Sequence, residues 1–149
     1  MRRTMGVLFV LLSMSGLGGA GAFAQEPPPG SPGEPTSGFT LLQNYPNPFT
    51  SETKIPFILG EDLFAEGRPV VVSMRVYNLV QHFVDAPTAL RHPAGEGVPL
   101  VQLEYTQPGR YEAHWDGLDQ NDQEVASGMY FVQLTVNGQP KARRIMKSG

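Results

Sequence analysis

The sequence predicts an all-β chain, an antiparallel sandwich, and three observations carry that expectation. Seventeen glycines and fourteen prolines make up about one residue in five of the 149, so turns are frequent and long helices have little room. Apolar residues recur with a period of two along Val70–Tyr77 and Met129–Val136, the pattern of half-buried strands. Turn signals separate the β-favouring runs at short intervals: Gln107-Pro108-Gly109, Asp116-Gly117, Ser127-Gly128 and Asn137-Gly138.

The first 24 residues stand apart from the fold. Arg2 and Arg3 precede the apolar run Val7–Leu12, and small residues follow, ending Ala22-Phe23-Ala24. This is the order of a secretory signal peptide cleaved after Ala24. The run is broken by Ser13, Ser15 and a glycine cluster and is shorter than the ~20 residues a membrane span requires. The mature chain is therefore expected to be exported and to carry no transmembrane segment. Residues 25–38 hold no apolar side chain besides proline and read as a linker. A proline-rich ligand is the rival reading there. Residues 39–149 remain for one domain with one core.

Within that domain the strands are expected in the following order. Thr53–Leu59 favours β structure, but Pro56 cannot donate to a ladder, which points to an edge strand or a bulge. In Val70–Tyr77, Val70, Val72, Met74 and Val76 share one face. Gln81–Val84, Leu100–Tyr105 and Arg110–Trp115 follow. In Met129–Val136, Tyr130, Val132, Leu134 and Val136 are expected inward. Asn137-Gly138 then turns the chain into a last strand, Ala142–Met146. Residues 85–99 read as a Pro/Gly-rich insertion, a variable inter-strand loop or a longer binding loop. About seven short strands with turns at this spacing specify an immunoglobulin-like antiparallel sandwich, with strand order left open.

Composition removes several functions. There is no Cys, hence no disulfide framework, thiol nucleophile or cysteine-ligated metal. A net charge of −3 argues against a phosphate-binding surface and nucleic acid as partner. His82, His92 and His114 lie on separate segments without metal-ligand spacing, and no serine sits in a nucleophile elbow. No catalytic residue and no cofactor are expected. Asp116, Asp119 and Asp122, with Asn121 and Glu124, offer oxygen ligands to a hard cation. The same residues suit a tight turn, and the alternating order of an EF-hand loop is missing. Trp115 reads as a core anchor rather than a stacking platform.

The C-terminus differs in kind. Lys141, Arg143, Arg144 and Lys147 fall within the last nine positions of an acidic protein. Charges on an edge strand guard against edge-to-edge pairing, and an accessible charged strand is also a docking signal.

Read in order, Leu41–Phe49 with its Asn44-Tyr45-Pro46-Asn47-Pro48-Phe49 core, Val76-Tyr77-Asn78-Leu79, Gly109-Arg110-Tyr111, Trp115-Asp116-Gly117, Val125–Phe131 and the basic tail resemble the C-terminal sorting domain of type IX secretion cargo. The pattern is also similar to the immunoglobulin-like domain of the flagellar hook-capping protein. The resemblance implies a seven-stranded sandwich recognised by the outer-membrane secretion apparatus, with attachment of cargo to surface polysaccharide. It places the sorting signal on Lys141, Arg143, Arg144, Ile145 and Lys147, and an extracellular or cell-surface location, with the periplasm as the alternative.

The remaining motif residues have structural readings. Pro46 and Pro48 stiffen the lead-in to the first strand, Phe49 plugs the core, and Asn44 and Asn47 bond nearby backbone. Asp116 and Gly117 suit the turn after Trp115, and Gly128 suits a positive φ ahead of Tyr130. Two departures stand out: Val80 precedes Gln81 where the family carries Gly-Gln, and no cargo domain is evident between the leader and residue 39. A stand-alone structural or adhesive module binding a protein or glycan is therefore the second expectation, and a small calcium-dependent carbohydrate-binding domain the third.

Overall fold

The computed structural model describes residues 38–149. The expected leader, residues 1–24, and all of the linker except Gly38 lie outside the described residues. Ten strands and one 3₁₀ turn follow in order: β1 Phe39–Leu41, β2 Thr53–Leu59, the turn Glu61–Phe64, β3 Val70–Tyr77, β4 Phe83–Asp85, β5 Thr88–Ala89, β6 Val98–Pro99, β7 Leu103–Tyr105, β8 Gly109–Trp115, β9 Gly128–Val136 and β10 Gln139–Lys147. All pairings between these strands are antiparallel.

They form two sheets. One runs β10-β9-β3, with β4 beside the end of β3 and β7 beside its start; the other runs β1-β2-β8-β5-β6. The expected sandwich is present. Its core is built from the alternation read in the sequence: Val70, Val72, Met74 and Val76 of β3, with Tyr130, Val132, Leu134 and Val136 of β9, are all buried. Ile55, Phe57 and Leu59 of β2 with Ala113 and Trp115 of β8 face them from the second sheet.

Three details differ from expectation. The sheets hold three strands that the sequence did not announce, each of two or three residues and too short to show a period: Phe39–Leu41, Thr88–Ala89 and Val98–Pro99. The last two come from the segment read as an insertion, and they extend the second sheet beyond β8. Pro56 does not sit on an edge strand, since β2 lies between β1 and β8. It is tolerated because its carbonyl accepts the Leu42 N–H at 3.0 Å, which turns its nitrogen toward β1 just beyond Leu41, where that ladder stops. Lastly, the last strand begins at Gln139 rather than Ala142, because the Asn137-Gly138 turn (φ 49° and 85°) joins Val136 directly to Gln139.

Candidate functional site

The Asn-Tyr-Pro-Asn-Pro-Phe segment lies where the two sheets meet. Buried Asn44 donates through its amide to the Pro46 carbonyl at 3.2 Å and to Thr53 Oγ1 at 3.0 Å, and the Thr53 hydroxyl donates to the same carbonyl. Both X–Pro bonds, Tyr45-Pro46 and Asn47-Pro48, are cis. Phe49 is 1% exposed and packs edge-on against Trp115, with ring centroids 5.4 Å apart; Trp115 meets Tyr130 in the same way at 5.7 Å. The Trp115 indole N–H donates to the Leu118 carbonyl, and the Tyr130 hydroxyl to that of Ala126. Trp115 is thus the core anchor expected of it, and Phe49 the plug.

Tyr45 reaches the outer face of the second sheet, where its hydroxyl bonds the Glu112 carboxylate. Arg110 and Arg91 hold the same carboxylate at 3.2 and 3.5 Å. Burial pushes the Glu112 carboxyl up, but the Tyr45 hydroxyl and the two guanidinium groups outweigh it and leave the carboxyl below its ordinary range. Glu112 was not singled out in the sequence; Arg110, two positions away on the same strand face, was the available sign.

The loop after Trp115 spends its carboxylates on its own backbone. Asp116 Oδ1 accepts the Leu118 N–H, and Asp119 Oδ1 accepts those of Asn121 and Gln123. Asp122 holds a φ of 63°. Among the described residues no group of three or more His, Asp or Glu side chains is placed to hold a metal ion. Gly117 is constrained twice: its φ is +75°, and a Cβ there would stand 2.6 Å from the Ser51 carbonyl oxygen. Gly128, at φ +144°, occupies the positive-φ position expected before Tyr130. The departure at Val80 is met by Asn78, whose side-chain oxygen accepts the Val80 and His82 N–H groups, while Gln81 takes the positive φ of 66°.

The structure divides the five residues of the basic tail. Lys141, Arg143, Ile145 and Lys147 pair with Leu134, Val132, Tyr130 and Gly128, so they share the inward face of β9; Arg144, opposite Phe131, points outward. Ile145 is core, 1% exposed. Lys147 is no part of an exposed tail: its side chain is 2% exposed and its ammonium pairs with Glu124 at 3.1 Å. Lys141 and Arg143 lie where the inward face opens to solvent, because β1 is only three residues long. Lys141 Nζ donates to the Phe39 carbonyl at 2.5 Å and lies 4.5 Å from that ring's centroid; Arg143 Nε donates to the Leu41 carbonyl at 3.1 Å. Those two carbonyls belong to the side of β1 turned away from β2. The two cations therefore stitch the edge of one sheet to the edge of the other. Arg144 has no side-chain partner among the described residues.

Gln43 completes the junction, giving its amide to Asn44 Oδ1 at 2.7 Å and to the Arg144 carbonyl at 3.4 Å while accepting from Arg143 at 3.1 Å. A groove of about 600 Å³ runs beside this junction, lined by Thr40, Leu41, Gln43 and the run Lys141–Arg144. Among the described residues no helix is long and apolar enough to cross a membrane.

No family model and no curated protein matches this chain. Among solved structures, the fold is similar to part of dimeric latent PorU from Porphyromonas gingivalis, with a TM-score of 0.50 and 16% sequence identity over 74% of this chain. The match spans 9% of the length of that protein.

Proposed function

We propose that this chain is a non-enzymatic, secreted β-sandwich module of the type IX sorting class, recognised at the outer membrane through its final hairpin. The observation that carries the reading is the division of the tail: Lys141, Arg143 and Arg144 stand exposed around one open strand edge, while Ile145 and Lys147 fix that strand to the core. A strand held rigidly at one end and open at the other presents a preorganised surface to a receptor. Similarity of fold to part of PorU, a type IX secretion protein, supports the same class, alongside the motif resemblance. The sandwich itself supplies positioning, and no step of bond chemistry is assigned to it.

The structure also selects the test. Deleting residues 141–149 would remove Ile145 and Lys147 from the core, so loss of export would report unfolding as readily as loss of a signal. A reporter placed behind residues 1–24 and ahead of residues 39–149, carrying Lys141→Ala and Arg144→Glu, keeps Ile145 and Lys147 in the core, and its melting temperature checks that the loss of the Lys141 bond to β1 leaves it folded. Retention of this folded reporter in the periplasm, with the unsubstituted fusion at the surface or in the medium, is the expected result. Cell fractionation of the native protein with intact mass gives the second check: a periplasmic resident chain ending at Gly149 overturns the reading in favour of a stand-alone structural module.

A further inference from the structure

We infer that the groove between β10 and β1 takes a short, extended, acidic segment of a partner protein, which adds as a strand to the free edge of β10 between Pro140 and Arg144. The inference rests on the reading of the tail as the recognised element and specifies what recognises it.

The backbone defines the length of the site. β10 is the outer strand of its sheet, and its even-numbered residues turn their polar groups away from β9. Three contacts show this: Met146 N–H donates to Asn47 Oδ1, Phe49 N–H donates to the Met146 carbonyl, and Gln43 donates to the Arg144 carbonyl. Those bonds close the edge from the Arg144 carbonyl onward. Pro140 has no N–H to offer. What stays open is the Pro140 carbonyl, both polar groups of Ala142 and the Arg144 N–H, enough for a strand of only a few residues. The groove of about 600 Å³ alongside provides the space.

The charges define the occupant. Lys141, Arg143 and Arg144 line the groove and no acidic side chain does. Arg144 is unpartnered among the described residues, and Lys141 and Arg143 each retain N–H donors beyond those they give to β1. A second copy of the chain is disfavoured: antiparallel pairing about Ala142 would set Lys141 opposite Arg143 of the other copy, like charge against like. An acidic strand instead meets a cation at each flank while its backbone satisfies the open edge, giving specificity through charge and affinity through main-chain bonds.

The test titrates the purified chain with a six-residue peptide that carries Glu on both of its faces, Glu-Glu-Val-Val-Glu-Glu, read by amide chemical-shift changes. Two control peptides accompany it, one with Lys replacing Glu and one N-methylated on the edge-facing amides. Saturable binding centred on Ala142 and Arg144 is expected, weakened about tenfold or more by N-methylation and abolished with the Lys peptide. Ala142→Pro, which removes the one central edge donor, and Arg144→Glu, which reverses an outward charge, should each weaken it similarly. Equal binding of the N-methylated or Lys peptide, binding indifferent to Arg144→Glu, or no saturable binding overturns the inference. Such a failure beside a reporter whose export still depends on Lys141 and Arg144 leaves the sorting reading standing; peptide binding without that export dependence sinks the sorting reading alone.

Discussion

Strand β10 is closed along one half and open along the other, and both halves carry basic residues, Lys147 in the first and Lys141, Arg143 and Arg144 in the second. From Ile145 to Lys147 the edge is occupied by Asn47 and Phe49, and the inward side chains are core. From Pro140 to Arg144 the edge is bare, and the inward side chains reach solvent and the carbonyls of β1. A basic side chain can thus be a buried pair, a seam between sheets or a free surface charge, depending on what the opposite sheet provides at that position. What lies opposite decides it here: Phe49 and the loop after β8, through Gly117 and Glu124, lie against Lys147, whereas Lys141 and Arg143 meet only the three residues of β1 and Gln43 beside it.

The comparison breaks most severely at Phe49, whose ring fills the space against Trp115 and whose backbone closes the edge of β10. Phe49→Ala should cost about 3–5 kcal/mol in urea denaturation, the range for truncating a buried aromatic side chain. It should also raise hydrogen exchange at Met146, whose N–H is held by Asn47 of the same segment, and leave Ala142 unchanged, because the amide there is already open.

A smaller effect separates the buried lysine from the seam. Glu124 is largely exposed, but it is the partner of an ammonium that is not. Glu124→Ala should cost about 1–3 kcal/mol by leaving that charge unpaired in the interior, whereas Lys147→Met, which removes the charge and keeps the volume, should cost less than about 1 kcal/mol. Equal costs would mean that the ammonium reaches water by another route. Measured midpoints of thermal or chemical unfolding decide between the two.

How much of this was legible in the sequence follows from the range of the forces involved. β3 and β9 could be read because their faces are set by a period of two that repeats over eight or nine residues. Phe39–Leu41 and Thr88–Ala89 could not, since two or three residues show no period and their pairing is decided by the neighbouring strand. The roles of Phe49, Trp115, Gly117 and Gly128 follow from local needs, a large ring to bury or a positive φ to adopt. Lys147 was misleading because its partner Glu124 lies 23 residues away and the segments beside it, Phe49 and the loop at Gly117, come from distant parts of the chain. Of the basic residues, only the alternation along β10 distinguishes Arg144, and that requires the register set by Asn137-Gly138.

The lead-in segment is held from the second sheet as well, which gives the closed half a pH dependence. The Glu112 carboxyl lies below its ordinary range in the folded state, so the folded protein binds its proton less readily than the unfolded chain does. The stabilisation is therefore present above the unfolded pKa and is lost as pH falls through the folded one. The melting temperature should decline as acid protonates Glu112, and Glu112→Gln should flatten that part of the profile while lowering stability by about 1–2 kcal/mol at neutral pH, as for loss of bonds to a charged group. A profile unchanged by Glu112→Gln would assign the acid sensitivity to other carboxylates.

The smallest expected change in stability belongs to Arg144, and for that reason it is the most informative about function. Its side chain points away from the core, opposite Phe131, and makes no bond among the described residues, so Arg144→Ala should alter the unfolding free energy by less than about 0.5 kcal/mol. Lys141 and Arg143 do not offer so clean a probe, because each also secures a carbonyl of β1 and its loss loosens the seam. If export of the reporter falls with Arg144→Ala while the melting temperature holds, the charge is being read by something outside the fold. If export is untouched, the open half of β10 is an edge guarded by charge, and the exposed arginine serves only to keep other strands away.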